Sequence, residues 1–168
     1  WLRWLAAEQR NLLVTPLPES ARRLRAVDAT VVSEPGSTGT DWRVHYSINL
    51  TTLQCDFFEI TGVAGGETVR RVPIEKGDIV LGDRAYSNPA GVAHVVEAGG
   101  DVLFRLNWHT LPLYHEDGRR VNVLAALGRL KVGEMRDLPN WVLPAEGDAI
   151  PGRLIAVRRS AAATRHVI

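Results

Sequence analysis

From Leu24 to Val32 the sequence runs with a period of two: Leu24, Ala26, Asp28, Thr30 and Val32 fall on one side, Val27, Ala29 and Val31 on the other. Successive side chains of an extended strand point to opposite faces of a sheet. Both sides are largely apolar here, so the run predicts a strand central to a sheet. A single carboxylate, Asp28, stands in its middle, and a charge among apolar neighbours costs several kcal/mol unless it is paired or metal-bound. Two compensations are open: an ion pair with an arginine such as Arg43, or a divalent cation.

The elements that follow narrow the fold class. Residues 34–40 read as a loop, and residues 42–50 and 57–61 as two further strands in hairpin order, which makes an antiparallel meander. A turn at Gly65-Gly66 leads through residues 69–73 to a short apolar run, residues 79–83, of the kind that forms a buried strand in an α/β sheet. Ser87, Asn88 and Pro89 open a helix with Val92, Val95 and Val96 on its buried face and Gly99-Gly100 at its end, and residues 102–106 form the next strand. Asp83 closes the short run. Ser87 and Asn88 already stand where the helix cap belongs, which leaves Asp83 available for another role at a strand end, where α/β sheets build their sites. If this strand lies parallel to the first, Asp28 and Asp83 come side by side, and carboxylate oxygens suit Mg²⁺ or Mn²⁺.

The flanks read differently. Residues 1–21 form a lead-in helix and linker, with Leu2, Leu5, Leu12 and Leu13 at mostly helical spacing and Pro16 and Pro18 as the stop. After Trp108 come short β-like pieces (111–114, 120–122, 134–136 and 141–143), so residues 108–152 are expected to be a β-rich insertion, with residues 153–168 returning to the main sheet through residues 154–157. The start at Trp1 and the end at Ile168 suggest a piece of a longer protein, incomplete at its C-terminus.

Composition excludes several classes. With 168 residues, 45% hydrophobic and 23% charged, the chain can bury a sizeable core. No run approaches the roughly 18 apolar residues of a membrane span, and the first residues, Trp1-Leu2-Arg3-Trp4, lack the h-region and cleavage site of a signal peptide. One cysteine, Cys55, excludes an internal disulfide framework and fits a packed thiol in a reducing compartment. The five histidines show no zinc-type pairing, residues 36–40 lack the ending of a phosphate-binding P-loop, and no Gly-x-Ser-x-Gly elbow occurs. The net charge is only +1, but arginines are unevenly placed: Arg3, Arg10, Arg22, Arg23 and Arg25 face two acids in residues 1–25, and Arg153, Arg158, Arg159 and Arg165 face none in residues 153–168. Those ends read either as a solvated surface or as phosphate contacts. Trp108 and Trp141 are either core or platforms for an unstacked base.

The stretches Leu24-Arg25-Ala26-Val27-Asp28-Ala29-Thr30, Trp42-Arg43-Val44-His45-Tyr46 and Gly82-Asp83-Arg84-Ala85-Tyr86 resemble the catalytic domain of the DDE transposases of bacterial insertion sequences, in particular the insertion-sequence-four family. The likeness runs from about residue 22 to residue 157. It implies an α/β, ribonuclease H-like mixed sheet whose first part spans residues 22–107, with Asp28 and Asp83 as the first two catalytic aspartates and ligands of Mg²⁺ or Mn²⁺. It also implies DNA as partner, a homodimer in the full-length protein and a cytoplasmic, nucleoid-associated setting. The family's catalytic glutamate lies in a later helix with Tyr, Arg, Glu and Lys at fixed spacing, and no such segment precedes Ile168. The expected activity is therefore hydrolysis of a phosphodiester at transposon ends and strand transfer by the longer protein, with residues 1–168 inactive alone. Arg84, Arg158 and Arg159 are expected to contact DNA phosphates, on charge and position. A ribonuclease H-like nuclease and a decayed or domesticated DNA-binding remnant are the alternatives.

Overall fold

The computed structural model describes residues 22–159, so the expected lead-in helix of residues 1–21 lies outside the described residues. Two compact units divide the chain. The first comprises residues 22–86 and 94–104, the second residues 87–93 and 105–159.

The first unit is built on a five-stranded sheet of order β3-β2-β1-β4-β5. β1 (Leu24–Val32), β2 (Trp42–Asn49) and β3 (Gln54–Gly62) form the antiparallel meander. β4 (Ile79–Gly82) and β5 (Asp101–Phe104) run parallel to β1 and to each other. A parallel return needs a crossover, which is supplied by a single-turn 3₁₀ helix (Val69–Arg71) before β4 and by α1 (Pro89–Glu97) before β5. The start of α1 follows local chemistry: the side chain of Asn88 accepts from the Gly91 amide, and Pro89 occupies the first turn, where a missing N–H costs nothing. Gly99, at φ +82°, turns the chain out of the helix.

The core of this unit is Val27, Val69, Val72, Val80, Tyr86 and Val95, with Phe57, Ile74, Val102 and Phe104 packed against it. Each fully buried valine contributes roughly 1.5–3 kcal/mol relative to exposure. Val96, expected on the buried face of α1, is exposed, because the helix buries a narrower stripe through Val92 and Val95.

One buried face carries ions. Arg25 is 2% exposed and Asp78 1% exposed. Arg25 donates to Asp78 (3.1 Å), to Asp56 (2.9 Å), to the Ser47 hydroxyl (3.1 Å) and to the Pro73 carbonyl (2.6 Å). Arg23 closes on the same Asp78 through two bonds of 2.7 and 2.9 Å. The β2–β3 register shifts between Ser47 and Ile48, so that Asp56 is an extra residue on β3. That bulge re-aims the Asp56 carboxylate at Arg25 and Ser47. The buried ion pair of β1 thus belongs to Arg25, on the side of the strand occupied by Val27. Cys55, next to the bulge, is exposed rather than packed, its thiol donating to the Phe57 carbonyl.

The second unit holds a two-stranded antiparallel sheet of β6 (Met135–Val142) and β7 (Ile150–Val157), a short helix α2 (Val123–Leu127) capped by the Asn122 side chain, and single bridges from Tyr114 to Arg120 and to Trp141. Leu111, Leu113, Val123, Leu127, Leu130, Val142 and Ala156 are buried. Residues 154–157, expected to return to the main sheet, pair instead with residues 135–138 of β6. Among the described residues no helix is long and apolar enough to cross a membrane.

Candidate metal centre

The parallel ladder of β1 and β4 pairs Leu24 with Ile79, Arg25 with Val80 and Ala26 with Leu81. Two residues beyond Ala26, on β1, stands Asp28, and two beyond Leu81, just past the end of β4, stands Asp83. Equal steps along parallel neighbours keep strand side chains on the same face; Asp28 lies on the Ala26 side of β1, and Asp83 follows the carboxyl end of β4 at the parity of Leu81.

Asp28 is exposed, so the premise of a charge buried on a doubly apolar strand is corrected. Val27 faces the core, and its neighbour Asp28 therefore faces away. Arg43 is not its partner: it pairs in register with Val31, at the opposite parity, and donates to the Gly65 carbonyl. Opposite Asp28 in the antiparallel ladder lies Tyr46, whose hydroxyl donates to Oδ2 at 3.0 Å, while the Ala29 amide donates to Oδ1 at 2.8 Å.

Asp83 follows β4 directly, is exposed, and accepts from the Ala85 amide at 2.8 Å. It therefore starts the 3₁₀ turn Arg84–Tyr86, a local duty that the cap at Asn88 does not take over. Gly82 makes the approach possible: a Cβ there would meet the Phe104 ring at 3.0 Å and Tyr86 at 3.1 Å. Tyr86, 2% exposed, has its hydroxyl pushed well above the usual tyrosine range, by burial first and then by the charges of Glu67, Asp28 and Asp83. Among the described residues no group of three or more His, Cys, Asp or Glu is placed to hold one ion.

Tyr46, Tyr86 and Glu67 were not singled out as site residues by sequence reasoning. The two tyrosines lie inside the quoted stretches, but their roles depend on cross-strand register and on the turn after Asp83. Glu67, half-buried before the first 3₁₀ turn, carries no local signal.

Of the arginines, Arg84 is half-buried in the turn after Asp83, within the first unit. Arg158 and Arg159 belong to the second: Arg158 donates to the Leu130 carbonyl at 2.6 Å, and Arg159 is exposed. Trp108 and Trp141 are both half-buried. Trp108 packs at 5.4 Å from the His109 ring and lines a cavity of about 290 Å³ with Pro112, Leu113, Arg120, Val123 and Leu124.

The hydrogen bond to Asp28 raises the titration of Tyr46, with burial adding to it. Asp28→Asn removes the charge that holds the phenolic proton. Ultraviolet titration of phenolate is therefore expected to show one tyrosine ionising at lower pH in that variant; an unchanged curve would contradict the contact.

The five-stranded sheet defines a mixed α/β protein, with Asp28 on β1 and Asp83 directly after β4. The chain is 29% identical over 143 residues to the transposase for insertion sequence element IS421 of Escherichia coli, a match covering 82% of this chain and 38% of that relative. It is equally similar, 29% over 143 residues and 39% of the relative, to InsL of strain K12, which carries the name of a transposase for insertion sequence element IS186A. The chain thus spans about two fifths of the length of these relatives. No family model matches, and no solved structure matches.

Proposed function

We propose that this chain forms the first part of the DNA-processing core of an insertion-sequence transposase, with Asp28 and Asp83 holding Mg²⁺ or Mn²⁺. The observation that supports the reading is the parallel β1–β4 register, in which Asp28 and Asp83 each stand two residues beyond the last pair, Ala26 with Leu81. The strand order, three antiparallel strands followed by two parallel to the first, supports a ribonuclease H-like core. The transposase relatives support DNA transposition as the process.

The donor set fits a hard cation. Mg²⁺ commonly takes one or two protein carboxylates and completes its sphere with water and phosphate oxygens, and both aspartates are exposed enough to leave room for these. When bound, the ions would activate an attacking oxygen and stabilise a leaving one in phosphodiester hydrolysis and strand transfer. Tyr46 orients the Asp28 carboxylate and the Ala85 amide orients that of Asp83, so each presents its remaining lone pairs in a set direction. Because the chain spans two fifths of its relatives, we take the third carboxylate of the resembled family to come from outside the matched stretch. The whole protein would act as a homodimer on transposon-end and target DNA in the cytoplasm.

Mn²⁺ binding to residues 1–168, followed by electron paramagnetic resonance, tests the site. Asp28→Asn and Asp83→Asn are each expected to weaken binding at least about tenfold, in line with the loss of a direct ligand. Binding unchanged in the double variant would sink the proposal and favour a DNA-binding remnant.

A further inference from the structure

The charges of the two units differ in sign. Residues 22–86 and 94–104 carry eight Arg and Lys against eleven Asp and Glu, whereas residues 105–159 carry nine against six. Within the second unit three of the six acids are occupied: Asp117 pairs with Arg119, Asp137 with Arg153 and Glu134 with Arg136. Arg129, Lys131 and Arg159 are exposed and take part in no ion pair among the described residues.

Arg129 and Lys131 share one loop and Arg159 lies far from them in sequence, but hydrogen bonds join the two segments that bear them. The Arg158 guanidinium donates to the Leu130 carbonyl at 2.6 Å, the Gly133 amide donates to the Arg158 carbonyl at 2.8 Å, and the Arg158 amide donates to the Glu134 carbonyl at 3.2 Å. Leu130, 3% exposed, anchors the loop from below, and its flanking residues Arg129 and Lys131 are left at the surface. Gly133, at φ +81°, supplies the turn that brings its amide to Arg158. The loop's one acid, Glu134, accepts from the Lys131 amide at 2.8 Å and pairs with Arg136. Its charge is therefore committed within the loop.

Resting on the transposase reading, we propose that loop 128–134 and the end of β7 form a phosphate-binding edge for duplex DNA, in which Arg129, Lys131 and Arg159 contact the backbone. Arg158 is a positioning residue: its guanidinium and both its backbone groups hold the loop against the strand. This revises the expectation that Arg158 and Arg159 contact phosphates alike. Contacts of this kind carry no base information, so they serve register and affinity on any sequence.

The test is the salt dependence of binding of residues 1–168 to a duplex of arbitrary sequence, read by fluorescence anisotropy. Each phosphate contact contributes about 0.9 to the slope of log K against log salt. Arg129→Ala, Lys131→Ala and Arg159→Ala are each expected to lower the slope by about that amount, and Arg105→Ala, outside the edge, to leave it unchanged. Arg158→Gln, checked for its fold by circular dichroism, is expected to lower the slope by more than one contact's worth, because it loosens the platform under all three. Gly133→Ala, which removes no charge, is expected to lower it too. A wild-type slope in the triple Ala variant, or an equal loss in Arg105→Ala, would overturn the edge. Mn²⁺ binding at Asp28 and Asp83 is unaffected by these changes, so failure here is distinct from failure of the transposase reading.

Discussion

Asp78→Ala is expected to destabilise the protein by about 3–5 kcal/mol, the cost of leaving buried charges without their partner. Asp78 is almost fully buried and neutralises two arginines, Arg23 and Arg25, while also accepting from the Glu75 amide. Without it, Arg25 keeps Asp56, but its bond toward β4 is lost. Chemical denaturation measures the change, and a loss below about 1 kcal/mol would mean that the pair is screened as surface pairs are. The same residue sets an acid limb. Burial alone would raise the Asp78 titration, but the Arg23 bonds, the Glu75 amide and Arg25 together outweigh it and hold the carboxyl below its ordinary value. A depressed folded-state pKa means that its stabilisation is fully present above the unfolded value, about 3.9, and is lost as pH falls through the lower, folded one. Asp78→Asn should flatten stability against pH in that acid window.

The second large effect concerns chemistry. On the proposed reading, in a protein of the length of the IS421 relative that carries these residues, Asp28→Asn is expected to reduce nicking of element-end DNA by on the order of a thousandfold, since several kcal/mol of transition-state charge stabilisation would go with a metal ligand. DNA binding should persist, because backbone affinity depends on cations and not on this carboxylate. Residues 1–168 alone are expected to leave the same DNA uncut in Mg²⁺ or Mn²⁺. Nicking by residues 1–168 that Asp28→Ala abolishes would show that a third ligand lies within them. Full activity of Asp28→Asn in the longer protein would remove Asp28 from the metal site.

Much of the first unit was legible in the sequence because its signals are local. The period of two placed β1 at Leu24–Val32, the meander followed from short loops, and the apolar run before Asp83 became β4. The parallel relation of β1 and β4 was conditional in the sequence and is established by the pairing. The return of residues 154–157 to the main sheet was misread, because alternation marks a strand without saying which strand it joins; β7 found β6. The charge that needed burying was also misassigned. Asp28 is surrounded by apolar residues in sequence, yet Arg25 is the ion taken inside, since only one face of β1 packs against the core there.

The sequence by itself determined the elements of the main sheet and their order along the chain, with Asp28 on the first strand and Asp83 at the end of the fourth, because hydrophobic period, turn residues and strand-end position act over a few residues. Only the tertiary structure decided which face of β1 is covered, that Tyr46 meets Asp28, that the bulge at Asp56 completes the Arg25 network, and that Arg158 ties loop 128–134 to β7. The last three depend on hydrogen bonds between segments separated by 18 to 31 positions in the chain, and no local pattern of side chains encodes such a pairing.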